Sequence, residues 1–279
     1  MSRLLANPVI ARAALLAGLI FAAVLVLVPF LWIASAAFKR QIDILMGTVT
    51  FTPVLLNFNE LLFSRGSDFT LNFANSFLVG TVSTAVVLVV TSMAAYSMFR
   101  MRWPRWVTPA LMLWTLIFHM IPPVAIVTAW FVMFQAAGLL ATYPGLILAH
   151  VTINLPMGLW LMSAFIREVP RELEEAAAID GAGPAGTFLR VVLPVVMPGL
   201  VATAILVFIF SWNEFPVALN LTARGTQTVP VAIAKFAQEF EVKHGAMAAG
   251  AVLSTLPALL LLMVGQRYIV RGLTAGALK

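Results

Sequence analysis

A soluble chain of 279 residues would carry charge on about a quarter of its positions, whereas this one carries it on 10%, with 62% apolar residues and a mean hydropathy of +1.00. So few polar side chains cannot cover a water-soluble globule of this size, which excludes a soluble enzyme. The 17 basic residues against 11 acidic ones, net +6, fit the basic ends of membrane spans rather than a nucleic-acid surface, and the absence of cysteine excludes disulfides, thiolate metal sites and cysteine nucleophiles.

Because a charge in hydrocarbon costs several kcal/mol, the gaps between charged residues locate the spans. Uncharged runs of 26 residues between Arg12 and Lys39, 31 between Asp68 and Arg100, 61 between Arg105 and Arg167, 23 between Arg190 and Glu214 and 23 between Lys243 and Arg267 follow one another. One crossing needs about 20 residues, so the 61-residue run holds two, turning within 137–145, where two glycines and a proline interrupt the pattern. The expectation is an all-α, polytopic membrane protein, a single transmembrane domain over 1–279, with six spans near 13–38, 74–99, 107–136, 143–166, 191–213 and 245–266. Ala34-Ser35-Ala36 resembles a signal cleavage site, but the first apolar stretch exceeds the about 7 to 15 residues of a cleaved signal and reads as a retained anchor. Counted on alternate sides, basic residues number 11 and 6. The positive-inside rule then places both termini and the loops after spans 2 and 4 in the cytoplasm, with 39–73 and 214–244 facing outward.

The six expected spans contain no Asp, Glu, Lys or Arg, whereas carriers driven by an ion gradient usually keep such a group in the membrane. In the middle regions of the spans the titratable residues are His119 and His150, and a lone histidine in a bundle is more often packed and hydrogen-bonded than a relay or ligand. No cluster suggests a bound metal. The phosphate-binding pattern GxxxxGK[ST] is absent, so a pump built on this chain takes its energy from another. An ion-coupled secondary sugar carrier and an accessory membrane scaffold remain as alternatives.

The loop after span 4 changes character, placing three basic and five acidic residues in 167–190. Pro170 suits a helix start, and Glu172, Glu174 and Glu175 suit the positive end of its dipole. Leu173, Ala176 and Ala177 make a low apolar stripe, and Gly181 can take the left-handed conformation that ends a helix. Composition alone allows a solvated amphipathic loop. However, Glu175-Ala176-Ala177, three residues, Gly181, nine residues and Val191-Val192-Leu193-Pro194 resemble the EAA---G---------I-LP signature of membrane subunits of binding-protein-dependent ABC importers, with Val191 in place of Ile. Asp180-Gly181-Ala182, Phe188, Asn75-Ser76, Ala94-Ala95-Tyr96, Ser211-Trp212-Asn213-Glu214-Phe215 and the tail 266–279 are similar to the maltose- and trehalose-type branch, in its second six-span permease.

That resemblance implies the type I importer permease fold, in a bacterial cytoplasmic (inner) membrane. It implies as partners a second permease that completes the pathway, two ATPase subunits and an extracytoplasmic sugar-binding protein, besides membrane lipid, and no nucleic acid. The chain itself would hold no cofactor, ATP and Mg being bound by the ATPases, and would be a non-catalytic subunit. Glu174, Glu175, Ala176, Ala177, Asp180, Gly181 and Pro194 would form the coupling element seated in an ATPase cleft. For the solute, aromatic faces and amide or hydroxyl groups are needed. Trp130, Gln135, His150, Asn154, Trp160, Trp212 and Asn213 have that chemistry, although Trp at a span end is commonly an interfacial anchor and Asn an interhelical tie. Pro122, Pro123 and Pro156 are expected helix breaks.

Overall fold

The computed structural model describes residues 8–237 and 242–275. Its helices in chain order are α1 (Pro8–Ala36), α2 (Gln41–Leu45), α3 (Leu56–Phe63), α4 (Phe69–Arg100), α5 (Val107–Met120), α6 (Pro123–Ala136), α7 (Tyr143–Glu168), α8 (Arg171–Ile179), α9 (Pro184–Thr187), α10 (Leu193–Val195), α11 (Met197–Trp212), α12 (Pro216–Leu221), α13 (Val229–Ala234) and α14 (His244–Ala275), with a π-helical turn at Phe188–Val192 between α9 and α10. Apart from one isolated bridge between Ala237 and Val242, no β-structure occurs among the described residues.

α1, α4, α7 and α14 are each long and apolar enough to cross a membrane. The remaining expected spans are bent pairs: α5 and α6 meet at 96°, and the stretch Pro184–Val195 meets α11 at 76°. The chain therefore turns within the crossing expected at 107–136, at the proline pair read as a break, and also near the start of the one expected at 191–213, where no break was expected. The cause of the first turn is the Pro122-Pro123 pair. Residues preceding proline are pushed out of the helical region, and Ile121 and Pro122 take extended ψ values of 121° and 133° before Pro123 opens α6. In the second, the break falls at Val196, which leaves the helical region (ψ 5°) just before Pro198 in the first turn of α11, where a proline has no N–H to continue the preceding helix; the π turn, in which the Leu193 N–H reaches back to the Phe188 carbonyl, lies within the arm before it. Pro156 is a correction in the other direction, since α7 runs through it unbroken.

The chain divides into two compact units, one comprising Met1–Ser67 and Ile233–Thr255, the other Asp68–Ala232 and Leu256–Lys279. In the first, the most apolar window of α1 has mean hydropathy 2.8 and is 0% buried within the chain, as for a helix apolar on every side and meant for lipid or another chain. The segment after it folds tightly. Lys39 is buried, donates to the Thr48 carbonyl (2.8 Å) and lies over the Trp32 and Phe51 rings at 4.7 and 4.8 Å. Asn57 Nδ2 donates to the Ala37 and Lys39 carbonyls, both at 2.8 Å. Lys243 pairs with Glu60 at 2.5 Å.

The second unit is built on α4, α7 and α11, packed pairwise. Without a hydrophobic drive between helices in lipid, small residues and hydrogen bonds hold such a bundle. At Gly158 of α7 a β-carbon would come within 2.7 Å of Val87 Cγ1 and 3.2 Å of Thr91 Cγ2 on α4, so glycine sets that spacing. A polar chain crosses all three helices: Ser83 Oγ lies 3.2 Å from Ser211 Oγ, which lies 2.6 Å from His150 Nδ1.

Candidate functional site

α8 lies in the loop after α7, and its ends follow from local chemistry. Pro170 occupies the N-cap position with extended ψ (135°), and Glu172 and Glu174 stand in the first turn, where the free N–H groups favour anions. At the other end the Gly181 N–H donates to the Ala178 carbonyl (3.0 Å) and the Ala182 N–H to the Ala177 carbonyl (2.9 Å), with Gly181 at φ +84°. These two bonds are a Schellman closure, which requires the left-handed residue that glycine supplies.

The helix presents two unlike faces. Leu173 (42% exposed) and Ile179 (87%) are open, with Glu175, Ala176 and the C-cap Asp180 exposed beside them. Ala177, read from the sequence as part of the same open stripe, is buried instead. Glu174, grouped by sequence with the docking residues, points the same way: its Oε1 accepts from Arg100 Nε at 2.5 Å, and the two side chains are only 14% and 10% exposed. Beneath them, Ala95, Tyr96 and Met98 of α4, Leu159, Met162 and Ile166 of α7, and Phe188 and Val192 of the π turn form one apolar cluster. Tyr96 and Phe188 rings lie 5.0 Å apart. Pro194 is exposed within α10.

A second feature sits at the α5–α6 bend, a cleft of about 580 Å³ bounded also by α7 and the end of α11. Asn154, Asn213, Glu214 and His119 supply its polar lining and Phe118, Phe210 and Phe215 its aromatic one. Of the expected pathway residues, it gathers Asn154 and Asn213. Asn154 Nδ2 also donates to the His150 carbonyl (2.8 Å), and Asn213 Nδ2 to the Ile209 carbonyl (2.9 Å). His150 is 1% exposed and tied to Ser211, with Nε2 3.8 Å from Glu214 Oε2, so it stands behind the cleft wall.

The other expected pathway residues lie elsewhere. Trp212 is 1% exposed, packed edge-on against Phe73 (5.2 Å) and stacked on Phe208 (5.7 Å). Trp130 stacks on Phe134, Trp160 donates its Nε1 to Thr115 Oγ1 at 3.0 Å, and Gln135 is exposed outside the cleft.

Glu214 and His119, missed as lining groups, could have been found by joining two sequence signals, the proline pair after His119 and the end of the uncharged run at Glu214. The Glu214 carboxylate accepts the N–H groups of Val217 (2.8 Å) and Ala218 (2.9 Å), capping the start of α12. Burial raises its pKa from the ordinary 4.5, against the lowering effect of those two backbone bonds.

A family model described as binding-protein-dependent transport system inner membrane component matches residues 88–275. The trehalose transport system permease protein SugB of Mycobacterium tuberculosis is 41% identical over 258 residues, 91% of this chain and 92% of that protein. The trehalose/maltose transport system permease protein MalG of Thermococcus litoralis is 34% identical over 275 residues, 97% and 98% of the two chains. A solved bacterial ABC transporter involved in the import of the acidic polysaccharide alginate has a chain of the same fold, with a TM-score of 0.73 over 93% of this chain and 95% of that one at 22% identity. Nothing among these matches favours an ion-coupled carrier. By family model, by relatives matched along nearly their whole length and by fold, the chain belongs to the inner membrane components of binding-protein-dependent transport systems, as a permease subunit of an ABC importer.

Proposed function

We propose that this permease carries a sugar or sugar-like solute, sharing the pathway with a second permease and receiving the solute from an extracytoplasmic binding protein. It transmits ATP-driven movement from two ATPase subunits through α8, and the chain holds no cofactor of its own, ATP and Mg residing in the ATPases. Both termini and α8 face the cytoplasm, and the loops 39–73 and 214–244 face outward. The observation that carries the reading is α8 itself: a capped helix with an open face of Leu173, Ala176 and Ile179 flanked by Glu175 and Asp180, and an opposite face tied into the bundle. A face of small and apolar side chains with a charged rim suits a protein cleft better than open water.

The α5–α6 cleft supports the solute side. Amide, carboxylate and imidazole groups alternate there with three phenylalanine rings, the mixture that holds a hydroxyl-rich ring. Relatives whose names include trehalose, maltose and diacetylchitobiose support the choice of a sugar. ATP binding draws the paired α8 helices together, the spans rock as rigid bodies between inward- and outward-open arrangements, and hydrolysis resets them.

Purification of the tagged chain from its native membrane in mild detergent tests this. The expected result is recovery of a second permease and an ATPase, with hydrolysis stimulated by one sugar of a panel in the presence of its binding protein. Recovery of the chain alone, binding solute in response to a proton or sodium gradient, would overturn it.

A further inference from the structure

We propose that Arg100 is the positioning residue that joins α8 to the spans, and that Glu174 serves this joint instead of the contact with an ATPase. The inference rests on the reading of α8 as the coupling helix and names the residues through which a push on α8 reaches the bundle.

Arg100 is the last residue of α4. Its Nη2 donates to the Ile166 carbonyl (2.9 Å) and the Val169 carbonyl (2.6 Å) at the end of α7, while Nε donates to Glu174 Oε1 on α8 (2.5 Å). Carbonyls at a helix C-terminus attract a cation, and although the Ile166 carbonyl also accepts the Val169 N–H at 3.3 Å, one guanidinium ties the end of α7 and the first turn of α8 together. A guanidinium spreads its donors over a fixed planar fork and so reaches acceptors on two further helices at once, whereas a lysine ammonium offers its three donors from a single point on a flexible stem. Tyr96 of α4 lines the same small pocket as Arg100 and Glu174. Beside this joint, Arg167 at the end of α7 lies over the Phe99 ring of α4 at 5.5 Å, a second tie between the same two helices.

The joint is distinct from an ordinary surface ion pair. Both side chains are largely buried, so screening is weak, and removal of either leaves buried partners unmatched. Without it the path from α8 to the bundle runs through α9 and the π turn, whose Phe188 and Val192 pack on α4 and α7. A displacement of α8 would then be transmitted only through that apolar packing, which has no fixed geometry of hydrogen bonds. With it, α8, α4 and α7 move together. The charges left on the open side of α8, Glu172, Glu175 and Asp180, remain for the partner.

The test uses the complex purified from its own membrane through a tag on this chain, reconstituted in lipid vesicles with labelled trehalose as the probe. Arg100→Ala should lower trehalose taken up per ATP hydrolysed by about tenfold, the factor corresponding to one charge-assisted hydrogen bond. Arg100→Lys should stay close to Arg100→Ala, and Glu174→Gln, which keeps an acceptor, should lose less than Glu174→Ala. The chain has no cysteine, so spin labels at Arg171→Cys and Met93→Cys report the α8–α4 distance directly; the distribution should be narrow in the parent and broad in Arg100→Ala. This readout needs no solute and decides the matter if the parent complex takes up no trehalose. A parent-like distribution in Arg100→Ala overturns the proposal, as does a fall in hydrolysis and uptake by the same factor, which would mark a folding role only. Glu175→Arg tests the underlying reading separately, since it should release the ATPase subunit. Retention of the ATPase and of uptake in that variant refutes α8 as the coupling helix, whereas its loss together with parent-like Arg100→Ala refutes only the joint.

Discussion

Gly181 allows the cost of a substitution to be separated into backbone and volume. It sits at φ +84°, and a β-carbon built there meets nothing within 4 Å. Any L-residue at that position therefore costs about 1–2 kcal/mol from the left-handed backbone alone, with no added penalty for size within this chain. Gly181→Ala and Gly181→Trp should be destabilised alike, and Gly181→Asn less, because asparagine tolerates this region. The affected contacts are the two closing bonds, from residue 181 to the Ala178 carbonyl and from Ala182 to the Ala177 carbonyl. A loss of 1–2 kcal/mol raises the open population by about 5- to 30-fold, so amide exchange at residues 181 and 182 should accelerate by that factor in detergent, without a change in the α4 amides.

With its partner subunits present the outcome should differ. If α8 is seated in a protein cleft, the indole of Gly181→Trp meets the wall of that cleft whereas the methyl of Gly181→Ala does not, so coupled hydrolysis should survive largely in the alanine variant and fail in the tryptophan one. Two results would refute the reasoning. A large difference in exchange between the two variants without partners would mean the space at Gly181 is occupied in the chain itself. Equal coupling of the two in the complex would mean that the end of α8 is not covered.

Other substitutions probe the bundle and the cleft. Gly158→Ala drives a β-carbon to 2.7 Å from Val87 Cγ1 and should cost about 1–3 kcal/mol, read as a lower melting temperature of the purified complex; addition of Val87→Ala should restore part of it, and no restoration would refute the contact. Ser211→Ala removes the hydroxyl that bonds both His150 and Ser83 and should cost about 1 kcal/mol, more than Ser83→Ala, because it leaves the buried His150 Nδ1 without its partner whereas in Ser83→Ala the Ser211 hydroxyl keeps His150; the reverse order in melting would refute the shared-hydroxyl reading. Glu214 has a folded-state pKa raised above its ordinary 4.5, so its contribution to stability is largest below that value and declines as pH rises toward the folded-state value. Glu214→Gln should remove this part of the pH dependence of melting, and an unchanged profile would place the titration elsewhere.

The spans were legible because lipid imposes one strong rule, the exclusion of charge, and every uncharged run in the sequence contains described helix. Their straightness was less so. Pro122, Pro123 and Pro156 carry the same local signal, yet α5 and α6 part at the first two and α7 continues through the third. The difference is tertiary. Pro156 is buried in a helix packed along α4 and α11, and neighbours that hold both halves of a helix in line make up for the lost hydrogen bond. At the paired prolines both Ile121 and Pro122 are forced toward extended backbone and remain exposed, so nothing opposes the turn.

The same distinction runs through the functional residues. The ends of α8 were readable from Pro170 and Gly181 because caps are local chemistry, determined within four or five residues. The sidedness of α8 was not, because Glu172, Glu174 and Glu175 are alike in composition and only the position of Arg100, 74 residues away, decides which of them turns inward. Trp212 and Asn213 were indistinguishable as polar residues at a span end, but a helix places neighbouring residues about 100° apart, and that rotation sends the indole between Phe73 and Phe208 and leaves the amide on the cleft. A long-range partner thus converts equivalent side chains into unlike ones: Glu174, bound to the bundle, can transmit a force, while Glu175, left open on the same helix, can receive one.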